Sequence, residues 1–228
     1  LGEFTTIMAR DGHELQAWLV APPARPRGAV VLLQEIFGLN GHIRSVAQDI
    51  AAQGYTVIAP ALFDRIRHGI ELGYSPAEQQ EGVGYRAQLK PETTLKDIAA
   101  AAAVVRNSGR VATVGYCWGG ALSYLAACQL PVSCAVVYYG KVSAYLDQKP
   151  RCPLMYHFGA QDQSITPADV EAVRAATQPP SVVYVYEGAG HGFNCDQRAA
   201  YDAQAAALAR TRTLEFLGRY LAGDPAKE

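Results

Sequence analysis

The sequence lacks several things that would have decided its class at once. No apolar stretch is long enough to span a bilayer, and the alanine-rich segments carry polar residues. No basic run appears, and the formal net charge over 228 residues is −1. Neither a nucleic-acid partner nor an anionic membrane surface is therefore expected. The five cysteines, Cys117, Cys128, Cys134, Cys152 and Cys195, are odd in number and widely spaced, with no C-x-x-C. That pattern argues against a disulfide framework and a structural zinc site, and it fits a reducing, cytoplasmic setting. The opening "LGEFTTIMAR" has neither the basic start nor the apolar core of a signal peptide. It also lacks an initiator methionine, so residues 1–3 are expected to be processed or foreign. No internal repeat is visible.

What is present is an ordinary globular composition, with 50% hydrophobic and 18% charged residues. The chain is long enough to bury a full core, and one domain over 1–228 is expected. "EFTTIMA" and "HELQAWLV" flank "RDG" and read as a hairpin with an Asp-Gly turn. "AVVLLQ" (29–34) and "YTVIAPAL" are short continuous apolar runs, as strands buried on both faces require. "RVATVGY", "SCAVVYYG", "CPLMYHFG" and "SVVYVYEG" read as further strands. Helices are expected between them: "HIRSVAQDIAAQG", "TTLKDIAAAAAVVRNSG", "GGALSYLAACQ" and "TPADVEAVRAAT". Thr166 caps the last of these, with Pro167 in its first turn and Asp169 as the capping-box acid. A long amphipathic helix over 197–221 closes the chain. Buried strands separated by helices predict an α/β fold, a doubly wound, mostly parallel sheet with helices on both faces.

Residues 63–91 show no clean period. Ser75 and Pro76 mark a helix start, but Gly82 and Gly84 interrupt the segment after it. So long an irregular insert is expected to be a lid or a substrate-binding segment.

The chemistry gathers around "GYCWGG" (115–120). Glycines at 115, 119 and 120 suit a strained strand-to-helix turn that presents a nucleophile, with Cys117 in the place usually held by serine. At a helix N-terminus the dipole and free N–H groups favour a thiolate and an oxyanion. A buried thiol in a glycine-rich turn is the bland reading, and it suits Cys128, Cys134 and Cys152 better than Cys117. An elbow nucleophile needs an acid and then a histidine, in that chain order. Asp162, in "GAQDQSITP" after a strand, fits the acid; Asp169 is explained by capping, and Asp147 lies in a polar segment. His191, in "EGAGHGF" after the last strand, fits the base. Glu35 ends the strand "AVVLLQ". The loop it opens is placed to give one oxyanion donor, the N–H of Ile36, and Trp118 N–H is the other. Glu35, Cys117, Asp162 and His191 thus all come just after predicted strands, at one edge of the sheet, where ligands bind in such folds.

These four segments, "QEIFG" (34–38), "GYCWGG", "GAQDQSITP" (159–167) and "GAGHGF" (188–193), resemble the dienelactone hydrolases, or carboxymethylenebutenolidases, over nearly the whole chain. The resemblance implies an α/β-hydrolase fold and a Cys117–His191–Asp162 triad. It also implies a resting thiol that is neutral and turned toward Glu35, until substrate displaces that acid and the acid helps deprotonate the sulfur. The family holds a substrate carboxylate with arginines, one before the long helix and one soon after the histidine. Here Asn194 and Cys195 occupy the near positions, and the first arginine is Arg198. Arg86 and Arg65 are the candidates from the earlier segment. Phe37, Tyr85, Tyr139 and Phe193 are candidate pocket walls. The expected activity is hydrolysis of a small-molecule ester or lactone through an acyl-enzyme, by a monomer, with no cofactor and no metal. A metal held by Cys117, His191 and Cys195 matches no zinc spacing. The alternative is a non-catalytic or redox-sensing protein on the same scaffold, pairing Cys117 with Cys195.

Overall fold

The computed structural model of the protein describes residues 2–222. The continuous apolar runs form the centre of the sheet. Strands β3 (Ala29–Leu33), β4 (Thr56–Pro60), β5 (Val111–Tyr116), β6 (Cys134–Tyr138) and β7 (Leu154–Gly159) are buried at every position. Strands with one wet face would alternate; these do not, because helices cover both sides. The hairpin β1 (Glu3–Met8) and β2 (Glu14–Val20) forms one edge, and the half-buried β8 (Val182–Tyr186) the other.

The eight strands are arranged in the order β1-β2-β4-β3-β5-β6-β7-β8. β2 runs antiparallel to both neighbours, and every pairing from β4 to β8 is parallel. The chain leaves β3 toward β4 and leaves β5 toward β6, in opposite directions along the sheet. The crevice between the ends of β3 and β5 is therefore the topological switch point, where a doubly wound sheet opens to a ligand.

The helices begin where their sequences say. Asn40 caps α1 (Gly41–Ala52), and Thr166 and Asp169 form a complete capping box on α5 (Pro167–Ala176). Two expectations need correction. Residues 63–91 are not an irregular insert: after a 3-10 turn, helix α2 (Pro76–Ala87) runs through both glycines, started by a Ser75–Glu78 capping box. Gly82 is there for packing, since a Cβ on it would lie 2.1 Å from the Ile36 carbonyl oxygen. The missing side chain lets α2 lie directly on the loop after β3. The last helix, α6 (Ala203–Leu221), starts later than its composition suggests, because residues 197–202 turn back first and Asp202 provides the cap. Helix α3 (Pro91–Val105) packs on β3, β4 and α4 (Trp118–Gln129). No helix among the described residues is long and apolar enough to cross a membrane.

Candidate active site

Cys117 stands between the end of β5 and the first residue of α4, at φ +54° and ψ −114°. A non-glycine residue there is strained, at a cost of about 1–3 kcal/mol. The fold holds it by its backbone: its N–H donates to Tyr138 O at 2.9 Å, and its carbonyl accepts from Gly120 and Ala121. The flanking glycines are needed for contact. A Cβ on Gly115 would sit 1.9 Å from Gly119 O, and one on Gly119 2.4 Å from Leu33 O. Helix α4 therefore presses against β5 and β3, which pushes the Cys117 side chain out over the switch point.

The loops after β7 and β8 bring Asp162 and His191 to this sulfur. His191 Nε2 lies 3.1 Å from Cys117 Sγ, and Nδ1 lies 2.8 Å from Asp162 Oδ2. The other oxygen of Asp162 accepts from the N–H groups of Ser164 and Ile165 at 2.7 and 3.0 Å. The Asp162 carboxylate is fully buried, so its position is fixed by the loop and not by solvent. Burial alone would lower the affinity of His191 for a proton. The hydrogen bonds to Asp162 and to the sulfur outweigh it, and the imidazole is pushed up to about 10.

Cys117 and His191 open into a cavity of about 230 Å³ that Ile36, Trp118 and Tyr139 also line. Tyr139, at φ +36°, is with Cys117 one of the two described non-glycine residues in positive φ space; both line the cavity. Strain of this kind clusters at functional sites. The amide N–H groups of Ile36 and Trp118 meet no acceptor among the described residues. They are free to donate to an oxyanion.

Glu35 is placed differently from expectation. It is 1% exposed, and its Oε1 accepts from Arg198 Nη1 at 3.2 Å. No hydrogen bond joins it to the Cys117 thiol among the described residues; the sulfur is turned to His191. The physical reason is Arg198, whose guanidinium lies over the Phe37 and Tyr74 rings and reaches the carboxylate first. Two polar atoms in this neighbourhood, Glu35 Oε2 and Tyr139 Oη, are buried without a partner among the described residues.

Phe37 and Arg86 line the cavity. Three other candidates do not. Arg65 is tied to Asp97 by two hydrogen bonds, at 2.6 and 2.7 Å, and to Asp11. Tyr85 packs on Phe63, which in turn stacks on Trp118, and its hydroxyl donates to Glu81. Phe193 is fully buried behind Tyr139 and belongs to the core. Sequence reasoning missed Lys141 and Arg198 as cavity residues. Lys141 follows the strand "SCAVVYYG" directly, as the other site residues follow theirs, which is a signal; Arg198 stands out only as the first arginine after His191, because its placement depends on how 192–202 folds back.

A doubly wound sheet in this strand order, with a strained strand-to-helix turn at its switch point, is an α/β-hydrolase. The profile of the dienelactone hydrolase family matches residues 15–221. The chain belongs to that family. Carboxymethylenebutenolidase of Pseudomonas putida is 34% identical over 227 residues, covering 95% of this chain and 96% of that protein. A solved structure from Klebsiella pneumoniae superposes with a TM-score of 0.86 at 28% identity, covering 96% of this chain and 99% of that one. A dienelactone hydrolase-like promiscuous phosphotriesterase from metagenomic libraries reaches a TM-score of 0.78 at 20% identity, over 96% and 98% of the two chains, and shows the fold alone.

Proposed function

We propose that the protein hydrolyses a lactone or ester that carries a carboxylate, with Cys117 as nucleophile, His191 as general base and acid, and Asp162 as the group that orients His191. The observation that carries this reading is the unbroken line from Asp162 Oδ2 through His191 to Cys117 Sγ, at 2.8 and 3.1 Å. The raised proton affinity of His191 draws the Cys117 proton to Nε2, and the thiolate so formed attacks the carbonyl carbon. The resulting oxyanion is held by the N–H groups of Ile36 and Trp118. The carbon–oxygen bond of the leaving group breaks, and His191 gives that oxygen the proton. Water, deprotonated by His191, then cleaves the thioester and restores the thiol.

The anionic substrate class is supported by the cations around the cavity. Arg198, Arg86 and Lys141 line it; Glu35 meets Arg198 through one contact of 3.2 Å and Asp169 meets Lys141 through one of 3.5 Å, so each pairing is weak enough for an incoming anion to compete with. A substrate carboxylate competes with Glu35 for Arg198. Once released, Glu35 is a second acceptor for the thiol proton, which suits a thiol and not a hydroxyl, since a free thiol has a pKa of about 8.5. The redox alternative finds no comparable support: Cys195 is fully buried and lies against Tyr74.

The test is turnover of a carboxylated enol-lactone and of a neutral activated ester by wild type and Cys117→Ala. The variant is expected to lose about 10⁴-fold in kcat with its fold intact by circular dichroism. Retained turnover would remove Cys117 from the mechanism.

A further inference from the structure

A second cluster of reactive side chains lies under the segment that joins His191 to Arg198. His42, in the first turn of α1, is 4% exposed. Its Nε2 is buried and meets no hydrogen-bond partner among the described residues. Its Nδ1 lies 3.4 Å from Asp196 Oδ1, too far for a good hydrogen bond. A ring nitrogen of His42, the sulfur of Cys195 and a carboxylate oxygen of Asp196 all fall within 4.8 Å of one another. Neither ring nitrogen is therefore well satisfied, and a buried polar atom with nothing to bind costs about 1–3 kcal/mol. Access exists as well. His42 and Asp196 line a cavity of about 330 Å³ between α1 and α6, and the Asp196 carboxylate is mostly exposed.

One thiol, one imidazole and one carboxylate form the donor set of a borderline-soft ion; calcium and magnesium would call for oxygens alone. Around tetrahedral zinc, bonds of about 2.0–2.3 Å hold ligand atoms about 3.3–3.8 Å apart. The three ligand atoms, within 4.8 Å of one another, close to that spacing with shifts of about 1 Å, and water from the cavity is the fourth ligand.

We propose that Cys195, His42 and Asp196 form a binding site for Zn²⁺ or an ion of its class, separate from the hydrolytic chemistry, and that filling it slows turnover at Cys117. On binding, the Cys195 S–H bond breaks, its proton goes to solvent and an S–Zn bond forms; nothing is oxidised or reduced. Coupling comes from chain connectivity. Cys195 N–H donates to Gly192 O at 3.0 Å, and Arg198 N–H donates to Cys195 O at 3.1 Å. Drawing the Cys195 sulfur from Tyr74 toward His42 therefore moves the turn that carries Arg198 over Tyr74 and against Glu35. This regulatory half rests on the hydrolase reading above; the binding half does not.

The experiment is a Co²⁺ titration of the chelator-treated full chain, read by absorbance, for wild type, Cys117→Ala, Cys195→Ser, His42→Gln and Asp196→Asn. One ion per chain is expected, with a near-ultraviolet thiolate-to-cobalt band that Zn²⁺ displaces. The band should persist in Cys117→Ala, vanish in Cys195→Ser and need at least about tenfold more Co²⁺ in His42→Gln and Asp196→Asn. Absence of a thiolate band in wild type would overturn the site. So would a band lost in Cys117→Ala but kept in Cys195→Ser, which would put the ion on Cys117 and His191. Asp196 is exposed, so its variant keeps the test open if a buried one fails to fold. In the activity arm, Zn²⁺ should slow wild-type ester turnover several-fold and leave Asp196→Asn unaffected at the same concentration; equal inhibition would overturn the coupling. A protein that gives the band but hydrolyses no ester would refute the hydrolase reading and leave the site standing.

Discussion

Two arginines in this molecule are each paired with a buried carboxylate, and they do opposite things. Arg65 meets Asp97 through two short bonds, adds Asp11, and leaves no oxygen of Asp97 unpartnered. Arg198 meets Glu35 through one bond of 3.2 Å, and the second oxygen of Glu35 is buried with no partner among the described residues. The first pair ties the 3-10 turn after β4 to α3 and to the hairpin turn; it is a clamp. The second lines a cavity beside Cys117 and is poorly satisfied, so an incoming anion can replace half of it. The difference teaches that a buried ion pair has to be read by its completeness. A bidentate pair resists exchange, and a single long contact invites it.

The largest expected effect tests the clamp. Asp97→Asn leaves a buried guanidinium without its fork partner and should cost about 3–5 kcal/mol in urea unfolding. The kcat/KM of the folded fraction should stay close to wild type. A large kinetic effect with unchanged stability would break the comparison by making Arg65 a site residue after all.

The next tests the other side. Arg198→Lys keeps the charge and loses the fork. We expect kcat/KM for a carboxylated lactone to fall about 10–100-fold, which is about 1.4–2.7 kcal/mol, with less than about a threefold change for the neutral analogue. Equal losses on both substrates would mean that Arg198 only shapes the loop.

This pair also marks where sequence reading stopped. The glycines of the turn at Cys117, the position of Cys117, Asp162 and His191 just after strands, and the capping boxes were legible because each depends on a few adjacent residues. Arg198 was not. It reaches Glu35, 163 positions away, only because Cys195, Arg198, Tyr201 and Asp202 close a series of tight turns. Arg65 misled for the complementary reason: it comes after a strand, as site residues do, but the 3-10 turn sends it to α3 instead of the cavity. Gly82 and Gly84 read as helix breakers, yet α2 runs through both at a cost of about 1 kcal/mol each; Gly82 lies against the Ile36 carbonyl, where a side chain would clash, and Gly84 has no such neighbour.

A pH scan sharpens the comparison once a third buried group is accounted for. His157 lies in the core, bonded to Tyr186 and Thr213 and not to a carboxylate, and burial pushes it down to about 3. Its unfolded value is about 6.5. The folded state therefore prefers it neutral; that stability is complete above pH about 6.5 and is lost as pH falls toward 3. Urea midpoints should drop over this window, and the drop should flatten in His157→Gln. His191 has the opposite sign: its raised value favours the folded state below pH about 6.5 and is lost as pH rises toward 10.

The smallest effect is the most discriminating for stability. Glu35→Gln removes the weak partner of Arg198, whose guanidinium already borders the cavity, and should change unfolding free energy by less than about 1 kcal/mol. A loss as large as that of Asp97→Asn would show the two pairs to be the same kind of clamp.

The claim on which the rest depends is that Cys117 carries the acyl group. It is tested most directly by acid quench of the protein during turnover of a slow ester, with peptide mass spectrometry of the quenched chain. The mechanism requires an acyl adduct on the peptide containing Cys117, present in wild type and absent from Cys117→Ala. An adduct on another residue, or steady turnover with no adduct at any time, would contradict it.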